Sequence, residues 1–222
     1  MRAPVNTQVF ARIGIDLSGP FVLSATGKKY VLNIICWFSK YLISVPLEDA
    51  KAITIADALM QEFILKFGAC TEIISDSAAA FTSEFYQEFC WLMNVNNKYA
   101  TPYCSKGNAI TERSFHTIQD VLAKMHLPYI ACCYNTSIHD TTHETLFFLV
   151  FGRDPIFCAD VILDPQTREG YAKTDVGMYK AQLIKRLHIA WQQATLWWAH
   201  AFLQMKRQYD KKERSHHVKV GD

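Results

Sequence analysis

The order of the predicted strands and helices is the feature that most restricts the fold. Three consecutive segments, residues 9–17, 30–36 and 42–47, have the composition of strands. They are rich in β-branched and apolar residues and are separated by turn formers such as Gly19 and Pro20. After them the pattern changes to helix, strand, helix, strand and helix. This order predicts an α/β protein with a mixed sheet flanked by helices.

The segment that follows the third strand has apolar residues at helical spacing over 53–67, and Gly68 comes directly after it. A glycine in that position commonly ends a helix. A short buried strand is predicted at 71–75 and a fifth strand near 95–99. Between these two strands, Thr82 has the side chain of a helix cap, so we expect it to begin the second helix.

Three further helices are predicted, over 109–125, around 130–134 and over 174–212. The last has apolar residues at alternating steps of four and three, which is the spacing of a helix seam that needs a partner surface. The seam either packs on the core or meets another protomer, and the sequence alone leaves both open. Its residues are Leu183, Leu187, Ala190, Ala194, Trp197 and Ala201.

Composition limits the class of protein rather than its function. Half of the 222 residues are apolar, which suffices for one substantial core. The formal charge of +2 is too small to indicate a polyanionic partner by itself. The sequence has seven cysteines without a CxxC pair, no apolar leader and no apolar run of bilayer length. These features predict an intracellular protein, nuclear or cytoplasmic, without membrane spans.

Three acidic residues are the candidate catalytic groups. Asp16 and Asp76 come at or near the ends of predicted strands, and Glu112 lies in the first turn of a predicted helix. Any one aspartate in such a position is more often a turn residue. Three carboxylates brought together repel one another unless divalent cations with oxygen ligands, usually Mg²⁺ or Mn²⁺, neutralise them. Two such ions are the usual catalysts of phosphodiester chemistry.

The context of these acids strengthens the interpretation. Thirty-five residues separate Asp76 from Glu112. The chain resembles the gypsy-type branch of the retroelement integrases as far as residue 155. The segments that carry this resemblance are GIDLSGP around Asp16, FSKY at 38–41, SDSAAAF at 75–81, TPY at 101–103, NAITER at 108–113 and YNTSIHDTTHETLFFLVFGRDP at 134–155.

The resemblance implies a ribonuclease-H-like catalytic core that trims DNA 3′ ends and joins them to target DNA. Asp16, Asp76 and Glu112 match the family's metal-binding acids, and Asn108 matches the asparagine that precedes the glutamate. The implied cofactor is Mg²⁺ or Mn²⁺, two ions per site. The implied partners are DNA, both element ends and target, and further copies of the chain that meet through the core and the long C-terminal helix.

The same resemblance divides the chain into four parts. Residues 1–155 form the integrase-type catalytic core, 156–173 a linker and 174–214 the long helical extension. Residues 215–222 resemble the start of the family's C-terminal module. A structural zinc site is not expected. Two histidines and two cysteines could suggest one, but the cysteines lack intervening residues; they are His139, His143, Cys132 and Cys133.

Further polar residues near Glu112 are candidates for DNA contact. Basic side chains there could neutralise phosphates, and helix positions three or four apart share a face with the glutamate. For His116 and Gln119 the alternative is an ordinary polar residue on a helix surface, and Arg113 could equally pair with a neighbouring acid. The candidates are Lys106, Asn108, Arg113, His116 and Gln119.

One departure from the family pattern leaves activity open. The family has a glycine two residues after the second aspartate, where this chain has Ala78. If that position needs a positive φ, alanine would adopt it reluctantly and the loop would be displaced. The alternative to an enzyme is therefore a catalytically inert protein that retains nucleic-acid binding or oligomerisation.

Overall fold

A computed structural model describes residues 8–24, 26–99, 127–157, 160 and 176–212 of the chain. The first strand of the sheet lies in residues 8–24, and the other four strands lie in residues 26–99. Two helices of the third range and one long helix of the last range complete the described part.

The described sheet has five strands in the order β3-β2-β1-β4-β5. β1 pairs antiparallel with β2, and β2 antiparallel with β3, whereas β4 lies parallel to both β1 and β5. This mixed sheet confirms the predicted fold class. The strands are β1 (Arg12–Ser18), β2 (Tyr30–Cys36), β3 (Leu42–Leu47), β4 (Glu72–Ser75) and β5 (Asn96–Tyr99).

Helices flank the sheet on both faces. The first, predicted over 53–67, contains a π-helical segment, Met60–Ile64, and ends at Gly68, whose φ is 90°. Glycine adopts that backbone conformation without a steric penalty. The α-helices are α1 (Ala52–Leu59), α2 (Leu65–Phe67), α3 (Ala79–Thr82), α4 (Glu84–Leu92), α5 (Leu127–Thr136), α6 (Leu146–Phe151) and α7 (Val176–Lys212).

The prediction that Thr82 caps a helix is wrong. Thr82 is the last residue of α3, and its hydroxyl donates to the Ala78 carbonyl. Ser83 caps α4 instead, because its backbone is extended (φ −64°, ψ 148°) and its Oγ accepts from the Tyr86 N–H at 3.3 Å. An N-cap needs this non-helical backbone. The predicted helix over 109–125 lies outside the described residues.

The main core fills one face of the sheet. Alternate residues of β1 and β2, among them Ile13, Ile15 and Ile34, are buried there and pack with Leu59 and Phe63 of the first helix. Alternation with a period of two is what places them on one face. The opposite face receives α5, where Ile130 packs on Ile35 and Leu42.

The long helix α7 packs back on the core. Ala190 and Ala194 are buried in a cluster with Phe38 and Leu149, and the Trp191 indole N–H donates to the Leu149 carbonyl at 2.8 Å. The sequence left open whether the seam packs on the core or meets another protomer. For this part of the seam, the contacts show that it packs on the core. Its small residues let the helix approach the core closely.

A glycine at the end of α6 allows that approach. Gly152 has a φ of 68°, and a Cβ there would meet Leu183 and would lie 3.0 Å from Leu187 Cγ. Both leucines are in α7. A side chain at residue 152 would therefore strain the turn and push the long helix outward.

The outer edge of β3 is closed by a side chain. Asn135 of α5 is buried, its Oδ1 accepts from the Leu42 N–H at 2.9 Å, and its Nδ2 donates to the Leu42 carbonyl at 2.8 Å. The carboxamide thus satisfies both backbone groups that Leu42 turns away from β2. Edge strands need such protection of their unpaired groups.

Among the helices that the structure describes, none is both long and apolar enough to cross a bilayer.

Candidate active site

Asp16 lies on β1, and Asp76 directly follows β4, the parallel neighbour of β1. Gly14 of β1 pairs with Ile74 of β4, and continuing this register by two residues brings Asp16 opposite Asp76. The main chains of adjacent strands are about 5 Å apart. Asp16 and Asp76 each come two residues after the last pair of this ladder, so the extended register predicts that their side chains face the same side of the sheet.

Asp16 is half-buried, and a neighbour on its own strand helps to orient its carboxylate. The Ser18 hydroxyl donates to Asp16 Oδ2 at 3.0 Å. β1 then ends in a tight turn at Gly19, which has a φ of 129° and whose Cβ, if present, would lie 2.7 Å from the Lys29 carbonyl oxygen. Only glycine fits this close approach. This turn therefore ends β1 shortly after Asp16.

Asp76 is exposed and begins a turn. Its Oδ1 accepts from the Ala78 N–H at 3.1 Å, which is the hydrogen bond by which aspartate commonly stabilises a turn two residues ahead. Ala78 has φ −60° and ψ 148°, a conformation that alanine adopts freely. The described turn therefore places no conformational strain on Ala78.

A row of polar side chains extends from Asp16 across the sheet. Asn33 of β2 pairs with Asp16, and Ser44 of β3 pairs with Asn33. The Ser44 hydroxyl donates to Asn33 Oδ1 at 2.7 Å. Asn33 is fully buried, and its Nδ2 has no hydrogen-bond partner among the described residues. Asn33 is not among the predicted site residues, although a polar residue inside the apolar strand YVLNIIC is a visible signal.

The remaining predicted site residues lie outside the described residues. They are the third acid, Glu112, and the five candidates for DNA contact, Lys106, Asn108, Arg113, His116 and Gln119. Within the part of the chain that is described, no three His, Cys, Asp or Glu side chains come together as a metal site would require. The chemistry of Asp16 and Asp76 nonetheless fits a hard divalent cation, since both supply carboxylate oxygens.

A second group of titratable residues lies behind the sheet. Lys40 is buried, its Nζ donates to the Trp37 carbonyl at 2.5 Å, and burial lowers the pKa of Lys40 to about 8. Burial and the positive charge of Lys40 also lower the pKa of His139. Loss of solvent disfavours the charged form of both side chains.

The two histidines once considered for zinc have other contacts. His139 Nδ1 lies 2.9 Å from the Thr141 hydroxyl, and the His143 ring lies against Trp197 with the ring centroids 4.3 Å apart. The segment that carries them is a turn rather than a helix, since residues 138 and 145 form an isolated antiparallel bridge. They therefore do not share a helical face.

Comparison with known families assigns the part of the chain that carries both aspartates. The model of the integrase core domain matches residues 7–105. These residues belong to the integrase core domain family. The matched segment includes all five described strands. It ends before Glu112, so the family match covers two of the three predicted acids.

The chain is also similar to curated proteins named after transposons or retrotransposons. The chain is 24% identical over 96% of its length to the retrovirus-related Pol polyprotein from transposon 412 of Drosophila melanogaster. It is 27% identical over 64% of its length to gypsy retrotransposon integrase-like protein 1 of Bos taurus. It is 29% identical over 59% of its length to the transposon Tf2-3 polyprotein of Schizosaccharomyces pombe.

The chain spans less than a third of each of these relatives, namely 18%, 30% and 11% of their lengths. Solved structures agree on the fold of the integrase core. The simian T-cell lymphotropic virus intasome in complex with the PP2A regulatory subunit B56 gamma has a chain that superposes with a TM-score of 0.55 at 14% identity, covering 68% of this chain and 59% of that one. The catalytic core domain of BIV integrase superposes with a TM-score of 0.51 at 13% identity, covering 64% and 95%.

Proposed function

We propose that the chain is an integrase-type polynucleotidyl transferase that processes DNA 3′ ends and transfers them to target DNA. The observation that carries this proposal is the parallel pairing of β1 and β4, whose register, continued by two residues beyond Gly14 and Ile74, pairs Asp16 with Asp76. The integrase core family supports it, because residues 7–105 include both aspartates.

In this proposal Asp16, Asp76 and Glu112 hold Mg²⁺ or Mn²⁺. Divalent ions at such a site activate the attacking hydroxyl or water and neutralise charge on the leaving oxygen. The described residues restrain the ligands: the Ser18 hydroxyl donates to Asp16, and the Ala78 N–H donates to Asp76. These hydrogen bonds would orient the two carboxylates, whose oxygens are the ligands that a hard cation prefers.

DNA is the proposed partner, and the five polar residues around Glu112 are proposed to contact it. Lys106 and Arg113 would neutralise phosphates, which supplies most sequence-independent affinity for DNA. Asn108, His116 and Gln119 would lie beside the glutamate on its helix. A salt-dependent affinity that weakens in Lys106→Ala and Arg113→Ala is the corresponding expectation.

Self-association is proposed for the outer face of α7. Ile189, Leu196 and Leu203 are exposed there at intervals of seven residues, which is the repeat by which helices pair. The inner face is already used against the core, through Ala190 and Ala194. A second copy of the helix would therefore meet the outer stripe.

The test of the enzymatic proposal is nicking of a supercoiled plasmid in the presence of Mn²⁺ or Mg²⁺, followed by strand transfer with labelled duplex DNA. We expect wild-type product and its loss in Asp16→Asn, Asp76→Asn and Glu112→Gln. Asp57→Asn is the matched control, because Asp57 is an exposed acid of α1 away from the site, and it should retain activity.

The opposite result identifies the inert alternative. If wild type gives no product yet retards DNA in a gel-shift assay, with an affinity that falls as salt rises, the chain binds nucleic acid without cutting it. Product that persists in all three acidic variants contradicts the assignment of the site.

A further inference from the structure

The structure contains a buried amide whose hydrogen-bonding capacity is only half used. Asn33 is fully buried in the middle of β2, and its neighbours along the strand are Leu32, Ile34 and Ile35. Its Nδ2 has no hydrogen-bond partner among the described residues. Leaving a buried polar group unpaired costs about 1–3 kcal/mol. An apolar residue would avoid this cost, so a purely structural role does not explain asparagine at this position.

The orientation of the Asn33 carboxamide is set by the strand on one side. The Ser44 hydroxyl of β3 donates to Asn33 Oδ1 at 2.7 Å. With its oxygen engaged by β3, the carboxamide cannot also turn its NH₂ group to Ser44. The NH₂ group is left for the other neighbouring strand, which is β1.

The residue opposite Asn33 on β1 is Asp16. Side chains directly opposite each other in an antiparallel pair lie on the same face, with Cβ atoms about 4.5–5.5 Å apart. An amide N–H and a carboxylate oxygen can meet across that separation with a small rotation of either side chain. A carboxylate has about four acceptor positions and can accept from several donors at once; the Ser18 hydroxyl is one such donor to Asp16 Oδ2.

We propose that Asn33 is a positioning residue for Asp16: held by Ser44, its Nδ2 donates to the Asp16 carboxylate and fixes the orientation in which that carboxylate binds a divalent cation. This inference rests on the proposed function of the Asp16 site. It adds a chain of three residues, Ser44, Asn33 and Asp16, that runs across three strands. Partners that orient a ligating carboxylate typically change metal affinity by 10–100-fold.

The test measures Mn²⁺ affinity directly, from the electron paramagnetic resonance signal of free Mn²⁺ during titration of the full chain. Asn33→Leu keeps the size of the side chain and removes both its donor and its acceptor. We expect it to weaken Asp16-dependent Mn²⁺ binding by about 10-fold or more. Ser44→Ala, which releases the carboxamide without removing it, should weaken binding in the same direction and by less.

A double-mutant cycle separates positioning from a general effect on the fold. In the Asp16→Asn background, Asn33→Leu should leave the residual Mn²⁺ affinity unchanged, because the group through which it acts is gone. An equal loss in both backgrounds overturns the inference. If Asn33→Leu fails to fold, as judged by circular dichroism and urea unfolding, the Ser44→Ala cycle with Asp16→Asn decides in the same way.

The two proposals fail differently. If wild type binds Mn²⁺ through Asp16 and Asn33→Leu binds it equally well, the positioning role is wrong and the proposed function stands. If wild type shows no Mn²⁺ binding that Asp16→Asn removes, the proposed function is wrong and the positioning role falls with it.

Discussion

Replacement of Asn135 by alanine should destabilise the protein through the edge of the sheet. The Asn135 carboxamide makes two hydrogen bonds to the backbone of Leu42, at 2.9 and 2.8 Å, and Leu42 itself is only 1% exposed. Alanine would leave the Leu42 N–H and carbonyl buried without partners. Each orphaned group costs about 1–3 kcal/mol, so we expect a loss of about 2–6 kcal/mol in the free energy of unfolding.

This loss is measurable by urea unfolding, with thermal unfolding as a second probe. For a chain of this size each kcal/mol lowers Tm by about 2–4 °C, so Asn135→Ala should unfold at least 4 °C or so below wild type. Thr136→Ala is the matched control. Its hydroxyl donates within its own helix, to the Cys132 carbonyl, and its removal should change stability by less than about 0.5 kcal/mol.

The reasoning is refuted if Asn135→Ala unfolds within about 0.5 kcal/mol of wild type. In that case water or a local rearrangement satisfies the Leu42 backbone, and the carboxamide does not protect the edge strand. An unchanged dependence of the unfolding free energy on urea concentration is required for the comparison, because a changed slope would indicate an altered unfolded or native state.

Two other predictions concern the packing of α7 and the buried lysine. Gly152→Ala should lower Tm more than Gly27→Ala does. Both glycines have a positive φ, but of the two only Gly152 would bring a Cβ within 4 Å of other atoms, which belong to α7. Equal decreases in Tm would contradict the described packing. Burial lowers the pKa of Lys40 from 10.5 to about 8, so between these pH values the unfolded chain binds more protons and stability should rise with pH by about 3 kcal/mol. Urea titrations at pH 7.5 and 10.5 should show this rise relative to Lys40→Met, and parallel pH profiles would argue against a neutralised lysine.

The strands could be predicted from sequence because their pattern is local. The bounds of β2 and β3 match the predicted segments, since apolar alternation and flanking turn residues are visible in the chain itself. The cap of α4 was misplaced by one residue. Thr82 and Ser83 both have hydroxyl side chains, and only the extended backbone of Ser83 decides between them.

The site could be predicted only in part, because its supporting contacts are long-range. Asp16 and Asp76 were recognisable from their strand ends and from the resemblance to a family. Asn33 can be recognised as a neighbour of the site only from the strand register, which pairs it with Asp16. Asn135 and Leu42 are 93 residues apart in the chain, and a local pattern of polar and apolar residues cannot predict a contact between such distant residues.

The position of α7 has a consequence for any chain that follows it. Its last described contact with the core region is Trp197 against His143, and the helix continues to Lys212. At 1.5 Å per residue, those fifteen residues extend about 22 Å. The helix therefore acts as a spacer, and a module attached after it would begin about that far from the contact with His143, a distance comparable to the width of a DNA duplex.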